Sequence, residues 1–66
     1  MNLNKFYIKL KMAEKNLNNM KLAELMGVSR QWLGIVFQRG YATPRIINKL
    51  AKALDCEVEE IVKMEE

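Results

Sequence analysis

Apolar residues recur every three or four positions along almost the whole chain. Leu3, Phe6, Leu10, Ala13 and Leu17 are separated by 3, 4, 3 and 4 residues, the period of one helical face. This spacing predicts a first helix over about 3–15 with that stripe turned inward. Asn16 follows, a residue that tolerates the left-handed backbone on which helices end. Asn18 stands where an N-cap belongs, ahead of a short helix at about 19–26 with Leu22, Ala23 and Met26 inside. Gly27 is suited to stop it. Ser29 caps a third helix at about 30–38, with Leu33, Val36 and Phe37 inward, and Gly40 ends that region. Thr43-Pro44 reads as N-cap and first position of a fourth helix at about 44–54. Its apolar face is Ile46/Ile47, Leu50, Ala51 and Leu54. Asp55 breaks it, and a fifth helix is expected over about 57–63, carrying Val58, Ile61 and Val62. The expectation is an all-α, compact five-helix globule.

Residues 19–38 satisfy a linked set of steric demands. Two helices that meet steeply across a short turn need a small residue at the crossing, and Ala23 supplies it. They need a residue at ease with positive φ in the turn, and Gly27 stands four positions on. They also need apolar anchors from inside, here Leu22, Met26, Val28, Leu33 and Val36. These seven positions together indicate a helix-turn-helix.

Composition narrows the function. The 66 residues allow one domain, 1–66, with a single small core. There is no His, and Cys56 has no partner cysteine, which argues against a disulfide framework, a Cys/His zinc site and His-based catalysis. No nucleophile stands with a plausible base and no glycine loop cradles phosphate, so the expectation is a non-enzyme with no catalytic residues, no metal and no cofactor. No apolar run approaches the ~20 residues of a membrane span. The first residues lack the pattern of a signal peptide, so a cytoplasmic location is expected. Charge is distributed unevenly. Residues 1–49 carry nine Lys/Arg and two acids, whereas residues 50–66 carry two Lys and six acids. A basic body with an acidic end suits a polyanion partner.

The segment LAELMGVSRQWL, a following Gly-x-x-x-Pro and then INKLAKALDCEVEEIV resemble the Cro and phage-repressor type of helix-turn-helix domain, the xenobiotic response element family. The resemblance runs from about residue 8 to 62. It implies a lambda-repressor-like DNA-binding domain that acts as a homodimer on a two-fold symmetric operator in double-stranded DNA.

The resemblance also implies roles for individual residues. Helix 3 becomes the recognition helix, with its N-terminal end in the major groove. Arg30 and Gln31 match the leading base-reading positions; Arg suits guanine O6/N7 and Gln suits adenine N7/N6. Gly34 and Ile35 lie one turn later on the same outward face, Ile35 matching a thymine methyl and Gly34 permitting close approach. Asn19 stands where the family commonly has a phosphate-binding Gln. Arg39, Tyr41 and Arg45 flank the loop between helices 3 and 4, where backbone contacts are expected. The ion pair by which many members join helix 1 to the end of helix 3 is replaced here by Met12 and Phe37, read as a hydrophobic contact. Trp32 is expected at a partly buried edge of the core, and Cys56 as a small core hydrophobe. Val58 and Ile61 are expected at a weak dimer interface, since helix 5 has more apolar residues than so small a core absorbs.

The function these readings support is a sequence-specific transcriptional regulator, a repressor of phage or mobile-element type. Two other readings share the fold: an antitoxin-like module that neutralises a partner protein, and an architectural or recombination-directing DNA binder.

Overall fold

The computed structural model describes residues 1–63. Within them the chain forms α1 (Lys5–Glu14), α2 (Asn19–Met26), α3 (Arg30–Arg39), α4 (Pro44–Leu54) and α5 (Val58–Ile61). The all-α class and the order of five helices agree with the sequence pattern. The ends are set by local chemistry. Asn4, Asn18, Ser29 and Thr43 each turn a side-chain oxygen onto the backbone amide three residues on, at 3.2, 2.8, 3.0 and 3.4 Å. Each satisfies one amide that the first turn leaves free. At the other ends Asn16 and Asp55 take φ of 59° and 56°, and Gly27 and Gly40 take φ of 72°. The left-handed residue lets the next amides reach back over the last turn, as in Leu17 to Met12 (2.8 Å) and Cys56 to Ala51 (3.0 Å).

The core is formed by all five helices together with residues between them. Leu22, Leu33, Ile47, Leu54 and Ile61 have no exposed surface. α4 presents Ile47, Leu50, Ala51 and Leu54, as its spacing predicts, with Ile46 half-buried beside them.

The first segment departs from expectation. α1 turns Ile8 and Met12 inward, whereas Phe6, Leu10 and Ala13 face solvent. The predicted stripe of Leu3, Phe6, Leu10, Ala13 and Leu17 is not the core face. The reason lies at its ends. Leu3 precedes the Asn4 cap and Leu17 follows the left-handed Asn16, so neither belongs to the helix and neither fixes its rotation. Leu3 is buried by another route, as extended chain. Its amide donates to Gly40 O (3.0 Å), and the Ala42 amide donates to Met1 O (3.0 Å). On its other side the Asn4 amide donates to Ile61 O (2.8 Å), and the Lys63 amide to Asn2 O (2.9 Å). Antiparallel bridges pair Asn2 with Tyr41 and Leu3 with Val62. Residues 1–4 are thus clasped between the α3–α4 loop and the end of α5.

This clasp also shortens α5. The helix predicted to reach residue 63 stops at Ile61, and Val62 is extended, with φ −112° and ψ 147°. Glu57 and Glu60 close a reciprocal capping box at its start. Ile61 and Val62 are both core residues, at 0% and 6% exposure. The core therefore absorbs two of the three apolar side chains of this segment, and Ile61 offers no surface to a second subunit.

Candidate nucleic-acid interface

The turn between α2 and α3 positions the site. Gly27 donates to Glu24 O (3.2 Å) and Val28 to Ala23 O (3.0 Å), which closes α2 and redirects the chain. The space around Gly27 is open, so the demand for glycine comes from its positive φ and not from crowding. Ala23 is 2% exposed. Leu22, Met26, Leu33 and Val36 are buried and Val28 is half-buried against them. Every one of the seven expected positions fills its role.

α3 begins at Arg30 because Ser29 is extended and its hydroxyl accepts the Trp32 amide. The first turn holds no acidic residue, so the positive end of the helix dipole is left uncompensated. Leu33 and Val36 set which side is inward, and Trp32 and Phe37 pack half-buried at the edges. The outward side carries Gln31, Gly34 and Ile35, with Arg30 at the head of the helix. Arg30, Gln31 and Ile35 are exposed, and no heavy atom lies within 4 Å of where a Gly34 side chain would stand. One residue on this row escaped the sequence reading. Gln38 is exposed and sits two turns beyond Gln31. The i, i+3/i+4, i+7 spacing from Gln31 was the available signal. Arg39 falls instead on the row of Trp32, because α3 extends through residue 39 before Gly40 ends it.

Asn19 is the exposed first residue of α2, just past its Asn18 cap. It lines, with Gln38, Lys5 and Lys9, a cleft of about 500 Å³ between α1 and the helix-turn-helix. Met12 and Phe37 also line this cleft, the former buried and the latter half-buried. The start of α2 and the end of α3 are therefore adjacent across an apolar floor.

Arg39, Tyr41 and Arg45 are all exposed. Arg39 borders a second cleft together with Lys5, Lys63 and Phe6. The loop that carries Tyr41 is pinned by the clasp, and its neighbour Ala42 is fully buried. Arg45 follows Pro44 in the first turn of α4, which contains no acid. From Leu25 to Leu54 the chain has no Asp or Glu at all. Arg30, Arg39 and Arg45 are outside the two ion pairs seen among the described residues, Lys11–Glu14 and Lys15–Asp55. Their charge faces outward and is available to phosphate.

The remaining candidates lie elsewhere. Ile61 is in the core, and Val58 is half-buried against it. Cys56 is half-buried too, and burial pushes its thiol up, with the Glu60 carboxylate adding to the effect. It packs as a small hydrophobe. No helix among the described residues is long and apolar enough to cross a membrane.

A short helix capped at its start, with an exposed row of side chains, set across a second helix by a glycine turn, defines a helix-turn-helix domain of the DNA-binding class. The chain belongs to the family of Cro/C1-type HTH DNA-binding domains, which matches residues 8–66. No curated protein matches it.

Proposed function

We propose that this protein is a transcriptional regulator of repressor type that reads a specific operator through the major groove with α3. The observation that carries this reading is the outward row of exposed Gln31, Ile35 and Gln38 around half-buried Gly34, headed by Arg30 at an uncompensated helix N-terminus. Arg30 carries the paired donors that suit guanine O6/N7, and Gln31 the donor and acceptor that suit adenine N7/N6. Ile35, 54% exposed, gains a partner in a thymine methyl. Asn19, Arg39, Tyr41 and Arg45 then hold the backbone on either side and fix the register without reading sequence. Binding of this kind represses by occupying the operator and excluding polymerase. Two copies on a two-fold site would place recognition helices about 10 base pairs apart, in successive major grooves on one face.

The test is selection of bound sequences from a random duplex pool, followed by salt titration on the enriched site. A two-fold symmetric enriched sequence is expected. Affinity should fall about 10³-fold or more between 50 and 200 mM salt if some six phosphates are contacted. Absence of any enriched sequence, with binding that ignores salt, sinks the reading and leaves a protein-neutralising role. Uniform binding with strong DNA bending points to an architectural role.

A further inference from the structure

α1 has two apolar sides, and only one of them is covered. Ile8 and Met12 enter the core. On the opposite side Phe6 is 78% exposed, Leu10 is 46% exposed and Ala13 is exposed. The other large exposed hydrophobics, such as Leu25, Ile35 and Tyr41, are scattered over other elements. Phe6, Leu10 and Ala13 are spaced 4 and 3 apart, which is the d–a–d seam of a coiled coil. With Leu10 at a, Lys9 falls at g and Glu14 at e. In a parallel helix pair each g residue faces the e residue five positions on in the partner. Residue 9 plus five is residue 14.

We infer that α1 pairs in parallel with α1 of a second copy of this chain, about a two-fold axis running along the helices. Phe6, Leu10 and Ala13 each meet their own counterparts, and Lys9 of each copy meets Glu14 of the other. Charge selects this orientation. An antiparallel pair would align the Lys9 flanks with each other and would leave Glu14 without its opposite charge. Glu14 is free to exchange partners, since its link to Lys11 is a 3.5 Å contact with the carboxylate side chain 59% exposed. Size sets the strength. An aromatic side chain buries about 150–250 Å², so this seam supplies less than the ~800 Å² per partner of a standard interface. The association is therefore weak and concentration-dependent. It also relocates the self-contact from α5, where Ile61 is buried, to the outside of α1. The inference rests on the surface of α1 and not on the DNA reading.

The experiment is sedimentation equilibrium of the full chain without DNA, up to about 1 mM, a range suited to an interface below standard size. The wild type should show a monomer–dimer equilibrium, and Leu10→Asp should be monomeric with an unchanged helical circular dichroism spectrum. Lys9→Glu should weaken the dimer about tenfold, because two attractions become two repulsions, and adding Glu14→Lys should restore it. In a Cys56→Ser background, Leu10→Cys should form an intermolecular disulfide under mild oxidation, since a positions face each other in the parallel pair. A wild type that stays monomeric, or a double charge exchange that fails to restore association, overturns the inference. Loss of association in Leu10→Asp with half-site binding retained separates it from the DNA reading.

Discussion

The phenol of Tyr7 donates a hydrogen bond to the carboxylate of Glu60, across 53 positions of sequence, and so ties α1 to α5. The same carboxylate accepts the Glu57 amide at 3.0 Å. Both bonds hold the Glu60 carboxyl below its ordinary range, the Tyr7 bond more strongly, and the bond to Glu60 pushes the Tyr7 phenol up. A depressed carboxylate contributes stability above its ordinary pKa and loses it as pH falls through the lowered value. A raised phenol contributes below its ordinary pKa of about 10 and loses it as pH rises beyond that. Tyr7→Phe should therefore lower Tm near neutral pH, and the gap should close on acidification below the ordinary glutamate pKa of about 4.3. Thermal melts of both proteins across pH check this; a gap that ignores pH would refute the link.

Leu3 and Phe6 were expected on one inward stripe, and the structure separates them. Leu3→Ala removes a side chain that is 2% exposed and should cost about 2–5 kcal/mol. Phe6→Ala removes one that is 78% exposed and should change monomer stability by no more than about 0.5 kcal/mol. Chemical denaturation at low protein concentration measures both. Equal losses would restore the face read from the sequence.

Two glycines in the helix-turn-helix should respond oppositely to alanine. Gly27 has φ of 72° with open space around it, so Gly27→Ala should destabilise by about 1–2 kcal/mol through backbone strain alone. Gly34 is inside α3 with nothing within 4 Å of an added Cβ, so Gly34→Ala should stabilise by about 1 kcal/mol. The same Gly34→Ala protein should bind the operator less tightly if the bases approach that position. A stabilised protein with unaltered affinity would remove Gly34 from the interface.

Arg30→Ala and Gln31→Ala should each relax preference at particular base pairs, costing about 1–3 kcal/mol on the best site. Gln38→Ala should do so more weakly, from the far end of the row. Arg45→Ala should instead weaken all sequences alike and reduce the salt slope by about one. Binding to a panel of single-base operator variants distinguishes the two patterns. Identical uniform losses for Arg30 and Arg45 would mean that α3 is not the reading helix.

From α2 to α4 the sequence was legible because three independent signals coincided. Asn18, Ser29 and Thr43 capped starts, Gly27 and Gly40 marked ends, and a single apolar face lay between them. α1 lacked that agreement. Its apolar residues occupy two sides, and the longer series was completed by Leu3 and Leu17, which lie beyond its caps. The clasp was illegible for a different reason. Residues 1–4 pair through backbone groups with residues 40–42 and 61–63, and backbone pairing at such separation leaves no period in the side chains. At the interface, Arg30, Gln31 and Ile35 could be placed outward because Leu33 and Val36 fixed the rotation of α3. Gln38 lay inside the predicted helix but was passed over because the outward face was followed for only one turn beyond Gln31.

The clasp also has a consequence for synthesis. Residues 1–4 are translated long before residues 61–63, which complete their hydrogen bonding. At roughly 5–20 residues per second the interval is about 3–12 s. During it Leu3 has no finished site and α4 lacks α5, whereas α2 and α3 already have each other and the turn between them. The helix-turn-helix is thus complete in sequence first, and by then residues 1–3 can already pair with the Gly40–Ala42 loop. Emergence of Ile61 to Lys63 supplies the second side of the clasp and so completes the enclosure of Leu3.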